Sequence, residues 1–107
     1  MSIASDLIRG HTDTIILASI IKGDNNGYKI NRMIYEMTDG RYELKEATLY
    51  TAFKRLEESG CISSYWGDEE SGARRRYYTV TNHGKKRYEE LIREWDETKD
   101  IVDKLVR

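Results

Sequence analysis

Between residues 48 and 55 the chain carries Thr48, Tyr50, Thr51, Lys54 and Arg55, and at residues 74–76 it carries three consecutive arginines. Hydroxyls and long cationic side chains donate hydrogen bonds to phosphate oxygens and to acceptors on base edges, so their chemistry is that of nucleic-acid recognition. Arg74, Arg75 and Arg76 could lie along or within a minor groove, whose negative potential is strongest where the groove is narrow. Taken alone, the same run is also what a solvated strand edge uses against aggregation, and only its company with the preceding helix favours nucleic acid. Lys85, Lys86 and Arg87 would add phosphate contacts or cover the first turn of the last helix.

Enzymatic chemistry has no visible seat. His11 and His83 lack the spaced cysteines or second histidine of a zinc set, and no metal or other cofactor is expected. His83 reads as a solvated residue in a helical first turn, and His11 as one that faces a packing surface of the first helix. Gly23, Gly27 and Gly40 read as turn residues, without a phosphate-binding glycine signature. Glu57–Glu58 and Glu89–Glu90 are adjacent on helices, so each pair diverges by about 100° instead of converging on one substrate atom.

The elements that must position the basic residues follow from periodicity. A first helix is predicted from Ser5 or Asp6 to Ile21, its second half apolar nearly all round. Residues 22–27, KGDNNG, read as a turn that leads to a second helix, Gly27 to Met37, expected to bury Tyr28, Ile30, Met33, Ile34 and Met37. A turn from Thr38 to Leu44 leads to a third helix from Lys45 to Ser59, with Gly60 as a left-handed C-terminal cap. On it Leu49, Ala52, Phe53 and Leu56 share one narrow arc, Ala47, Thr51, Lys54 and Glu58 lie opposite, and Thr48, Tyr50 and Arg55 flank them. Two strands, Cys61 to Trp66 and Arg74 to Thr81, flank an acidic turn at residues 67–73, with Tyr78 and Val80 expected to point inward.

Thr81 or Asn82 can cap a last helix of about 25 residues, roughly 38 Å long, which projects beyond so small a domain. Its apolar residues include Tyr88, Leu91, Ile92, Trp95, Val102, Leu105 and Val106, and Tyr88, Trp95 and Val102 fall at heptad spacing. Thr98 and Lys99 interrupt the stripe. The fold class expected is α+β: a winged helix-turn-helix of three helices and a two-stranded antiparallel wing, with a long C-terminal dimerisation helix. Residues 1–81 would form the DNA-binding domain and residues 82–107 the dimerisation helix.

A chain of 107 residues, 38% hydrophobic and 35% charged, supports one modest core and leaves surplus apolar surface for subunit contact. The net charge of −1 argues against a generic polyanion binder. Its distribution argues differently, because no acid occurs between Arg74 and Arg87 while acids precede the run and populate the last helix. Cys61 has no partner for a disulfide, the first twenty residues lack the pattern of a secretory signal, and no apolar run is long enough to span a bilayer. A cytoplasmic protein without membrane contact is expected.

The strings LIRGHTDTIILASI (residues 7–20), GYKI (27–30), EATLYTAFKRLEESGCI (46–62), YW (65–66) and RRRYYTVTNHG (74–84) together resemble the PadR family of bacterial transcriptional regulators. Where that family usually has proline after Leu-Tyr, this chain has Thr51. The resemblance implies a homodimeric repressor that binds double-stranded DNA at an inverted repeat, of the subfamily with a single C-terminal dimerisation helix. Some members of that group resemble multidrug sensors that hold a planar aromatic small molecule between paired tryptophans. Trp95 lies at the matching place, and Leu7, Ile8, His11, Tyr88, Leu91, Ile92, Trp95 and Val102 are the residues expected at the effector and dimer interface. Trp95 has two readings, a wall of a ligand site or a large anchor filling its own seam. The alternative for the whole chain is a winged-helix module for protein contact that does not bind DNA, suggested by the acids Asp68, Glu69 and Glu70 at the wing.

Overall fold

The computed structural model describes residues 7–68 and 74–107. Ser5, Asp6 and residues 69–73 of the expected acidic turn, Glu69 and Glu70 among them, lie outside the described residues. The order of elements is α1 (Thr12–Ile21), β1 (Asn25–Asn26), α2 (Gly27–Met37), α3 (Glu46–Glu58), β2 (Ile62–Asp68), β3 (Arg74–Val80) and α4 (Asn82–Val106).

The first helix is not continuous. Residues 7–9 are helical, a turn follows at residues 10–11, and α1 begins at Thr12. Gly10 lowers local helix propensity, and the Thr12 hydroxyl donates to the Arg9 carbonyl at 2.7 Å, which satisfies a backbone group at the break. Beyond it Ile16, Leu17 and Ile20 are fully buried and form the centre of the core.

The segment expected to be only a turn also holds a short strand. Asn25 and Asn26 pair antiparallel with Tyr78 and Tyr77, so the two-stranded wing becomes a three-stranded sheet of order β1-β3-β2. Asn26 then caps α2, its side-chain oxygen accepting the Lys29 amide at 2.9 Å. On α2, Ile30 and Ile34 are buried as expected and Met33 is half-buried, but Tyr28 and Met37 are exposed. Tyr28 is off the buried arc, and Met37 is in phase with it but occupies the last helical position, past the core.

The connector between α2 and α3 is more ordered than a polar turn requires. The Asn31 side chain donates to the Leu44 carbonyl at 2.7 Å and accepts the Leu44 amide at 2.8 Å, a two-bond clasp that fixes where α3 begins. Tyr42 and Leu44 are buried in the core on either side of exposed Glu43. At its other end α3 stops in a Schellman arrangement, with Gly60 at φ +79°, its amide bonded to the Glu57 carbonyl and the Cys61 amide to that of Leu56.

β2 and β3 pair antiparallel in the register Ile62↔Val80 to Asp68↔Arg74. Tyr78 is buried and Val80 packs at the core edge. The Thr81 hydroxyl accepts the Gly84 amide at 3.0 Å and lies 2.6 Å from the Gly60 carbonyl, joining the start of α4 to the end of α3. α4 then leaves the core. Tyr88 and Leu91 pack against it, whereas every residue from Arg93 onward is exposed, and the molecule extends to 53 Å.

The close approach at Gly84 gives a test. A Cβ there would stand 2.0 Å from the Cys61 carbonyl oxygen, whereas at Gly60 space is open and only the positive φ resists a side chain. Gly84→Ala is expected to lose more than about 3 kcal/mol in urea unfolding, against about 1 kcal/mol for Gly60→Ala. Equal losses in the two variants would contradict this packing.

Candidate nucleic-acid interface

The arc separation expected for α3 is present in full. Leu49, Ala52, Phe53 and Leu56 are buried, while Ala47, Tyr50, Thr51, Lys54, Arg55 and Glu58 are exposed and Thr48 is half-buried. The buried face is held by aromatic contact. Phe53 stacks on Tyr78 of β3 with ring centroids 3.9 Å apart, and Tyr50 meets Phe53 edge-on at 5.9 Å. Burial pushes the Tyr78 hydroxyl above its usual pKa, against a smaller opposing pull from Arg76, so the ring stays neutral at physiological pH.

The expected DNA-contact residues divide by what already holds them. Thr48 and Thr51 line a shallow surface with Arg9, Thr12, Ala47 and Arg55 between α3 and the start of α1. Arg55 is bonded through two nitrogens to the Asp13 carboxylate, which raises its pKa further and ties α3 to α1. Arg74 lies over the Trp66 ring at 5.3 Å and 3.8 Å from Asp68. Arg75 reaches across the β3 edge to stand 5.0 Å over the Tyr28 ring at the start of α2. Arg76 turns toward α3, 3.5 Å from Glu57 and 2.8 Å from the Ser64 hydroxyl.

Two aromatics of this surface escaped the sequence reading. Trp66 and Tyr28 are both more than half exposed, each under an arginine. The signal available was the strand alternation that sets Trp66 opposite Arg76 and so on the same face as Arg74, but nothing local relates Tyr28 to Arg75, 47 positions away. The outer face of the sheet carries a separate brace. The Tyr65 hydroxyl donates to Asp24 at 2.6 Å and, with a smaller contribution from Thr79, holds that carboxyl below the usual carboxylate range.

At the opposite end of the molecule, Leu7, Ile8 and His11 meet α4 residues Trp95, Thr98, Lys99, Val102 and Val106 around a half-open cleft of about 850 Å³. His11 packs edge-on to Trp95 at 4.7 Å, and the Lys99 ammonium stands 5.5 Å above the same ring. Leu7, Trp95, Val102, Leu105 and Val106 remain exposed along this side, whereas Tyr88, Leu91 and Ile92 are half-buried nearer the core.

Comparison with known proteins gives consistent matches. The family model described as the transcriptional regulator PadR-like family matches residues 16–90. A protein of Lysinibacillus sphaericus is 46% identical over 101 residues, covering 94% of this chain and 93% of its own length. A transcriptional regulator from Clostridium thermocellum of known structure is 48% identical, with a TM-score of 0.87 and coverage of 96% of this chain and 100% of its own. A PadR family transcription regulator from Clostridium difficile R20291 is 36% identical, with a TM-score of 0.78 and coverage of 91% and 99%.

Proposed function

This chain belongs to the PadR-like family of transcriptional regulators, and on that premise we propose that it acts as a homodimeric repressor reading an inverted-repeat operator. The observation that carries the reading is α3 itself, with one face sealed against the core and the other offering Tyr50, Thr51 and Lys54 beside an arginine-bearing strand. In this reading α3 enters the major groove, Thr48, Tyr50, Thr51 and Lys54 meet base edges and phosphates, and Arg74 and Arg75 contact the flanking backbone. Residues 1–81 form the DNA-binding unit and residues 82–107 supply the two-fold contact.

Surface chemistry supports the dimer. Among the described residues, Trp95, Ile101, Val102, Leu105 and Val106 expose a run of apolar surface on a helix that projects past the core, a surface that a second protomer would cover. Two recognition helices related by a two-fold axis would then address half-sites about 34 Å apart. The cleft beside Trp95 would hold a planar aromatic effector, with two Trp95 rings as its walls.

A mixed-sequence duplex at low salt, and then the segment upstream of the gene itself, test the DNA reading. Binding should weaken steeply with salt, and Arg75→Ala should reduce the slope of log affinity against log salt by about 0.9, one phosphate contact. No duplex binding at low salt would favour the protein-contact module instead.

Sedimentation tests the dimer. Leu105→Glu places a charge on the exposed stripe and should give a folded monomer whose operator affinity falls at least about tenfold, since the second half-site is no longer tethered. A variant that stays dimeric would move the interface elsewhere.

Titration with a planar cationic dye tests the effector site. Quenching is expected in the parent protein, with operator affinity changing reciprocally, and little quenching should remain in Trp95→Ala, where only Trp66 reports. An unchanged titration in that variant would remove Trp95 from the site.

A further inference from the structure

The three arginines of the wing strand are consecutive in sequence but not equivalent in space. Arg76 lies on the same face of β3 as Tyr78, turned toward the last turn of α3. There the Ser64 hydroxyl of β2 donates to Glu57 Oε2 at 2.6 Å and accepts from Arg76 Nη2 at 2.8 Å, while the same nitrogen stands 3.5 Å from Glu57 Oε1. One hydroxyl, one carboxylate and one guanidinium from three elements therefore close a single cluster. Arg74 and Arg75 are held differently, over aromatic rings, and the one carboxylate near Arg74, that of Asp68, stands 3.8 Å away on a far more exposed side chain than Glu57. The Glu57 carboxylate faces the sheet, so its place on the recognition helix is spent on the wing.

We propose that Arg76 is a positioning residue that, with Glu57 and Ser64, sets the angle between the wing and the recognition helix, leaving the phosphate contacts of this strand to Arg74 and Arg75. The proposal rests on the DNA reading above. A guanidinium already neutralised by a carboxylate displaces few counterions from DNA. To reach a phosphate it would have to abandon a charge-assisted bond and leave Glu57 unpaired beside the polyanion. Held in place, it joins the end of α3 to the middle of β2 and β3, where a small rotation moves the whole wing.

The two roles give opposite signs for one substitution. If Arg76 contacts phosphate, Glu57→Gln frees the guanidinium and removes a negative charge, so duplex binding tightens and its salt slope steepens. If Arg76 positions the wing, Glu57→Gln weakens binding and leaves the slope unchanged. Measured on the full-length protein with a mixed-sequence duplex across a salt series, Glu57→Gln, Ser64→Ala and Arg76→Ala are each expected to weaken binding about three- to tenfold at constant slope. The Glu57→Gln/Arg76→Ala double variant should bind no more weakly than Arg76→Ala alone, because the cluster acts as a unit. Arg75→Ala supplies the contrast, with its slope reduced by about 0.9. Should Arg76→Ala fail to fold by circular dichroism, the two milder variants carry the same comparison. Tighter binding by Glu57→Gln, or a slope loss in Arg76→Ala equal to that of Arg75→Ala, overturns the proposal. A parent protein that shows no salt-dependent duplex binding overturns the DNA reading itself, and this role with it.

Discussion

Much of the structure depends on the stacking of Phe53 on Tyr78. α3 can hold polar side chains on one face only if its other face is sealed, and the seal is made by a strand as well as by α1. Phe53 is 1% exposed and Tyr78 is 4% exposed, so the contact joins α3 to β3 without water between them. The rest follows along the chain from that fixed point. Tyr78 pairs with Asn25 on one side and Ser64 on the other, which places β1 and β2. Two residues beyond it Val80 packs on the core, and Thr81 starts α4 against the Gly60 and Cys61 carbonyls. The direction of the projecting helix is thus set by the element that also seals α3.

Around this stack, ion pairs hold the two flanks of α3. Asp13 grips Arg55 from α1, and the Ser64–Arg76 pair grips Glu57 from the sheet. All of these charged groups are partly exposed, so each pair adds little to global stability. Their worth is directional, because they oppose rotation of α3 about its own axis and so keep Tyr50, Thr51 and Lys54 facing outward. A helix that could roll would blur the register that the proposed contact with base edges needs.

What could be seen in the sequence was the part that depends on neighbours close in the chain. The arc of Leu49, Ala52, Phe53 and Leu56, the Gly60 cap, the Thr81 cap and the alternation of β3 are all local patterns, and the structure has each of them. What could not be seen depends on residues brought together by folding. Asn25 and Asn26 are poor strand formers and pair only because the β3 edge reaches them. Tyr42 and Leu44 look like part of a polar turn until Asn31, thirteen positions before Leu44, clasps its backbone. The partners of Arg55 and Arg76 lie 42 and 19 positions away, so a run of cations read from sequence does not reveal which of them already has a carboxylate.

The same distinction resolves the apparent conflict between a net charge of −1 and an affinity for polyanions. Three acids of the distal α4 are matched on their own helix, Asp96 by Lys99, Asp100 by Lys104 and Asp103 by Arg107. Each such pair is locally neutral, and at physiological salt its field fades within about 8 Å. On the proposed DNA reading, the charge that a phosphate meets is therefore set by the side chains near the wing and the outer face of α3, where Lys54, Arg74 and Arg75 are exposed. A chain-wide sum counts α4 and the wing as though they shared one surface. Because α4 leaves the core, they do not, and the basic face can act apart from the charge of the distal helix.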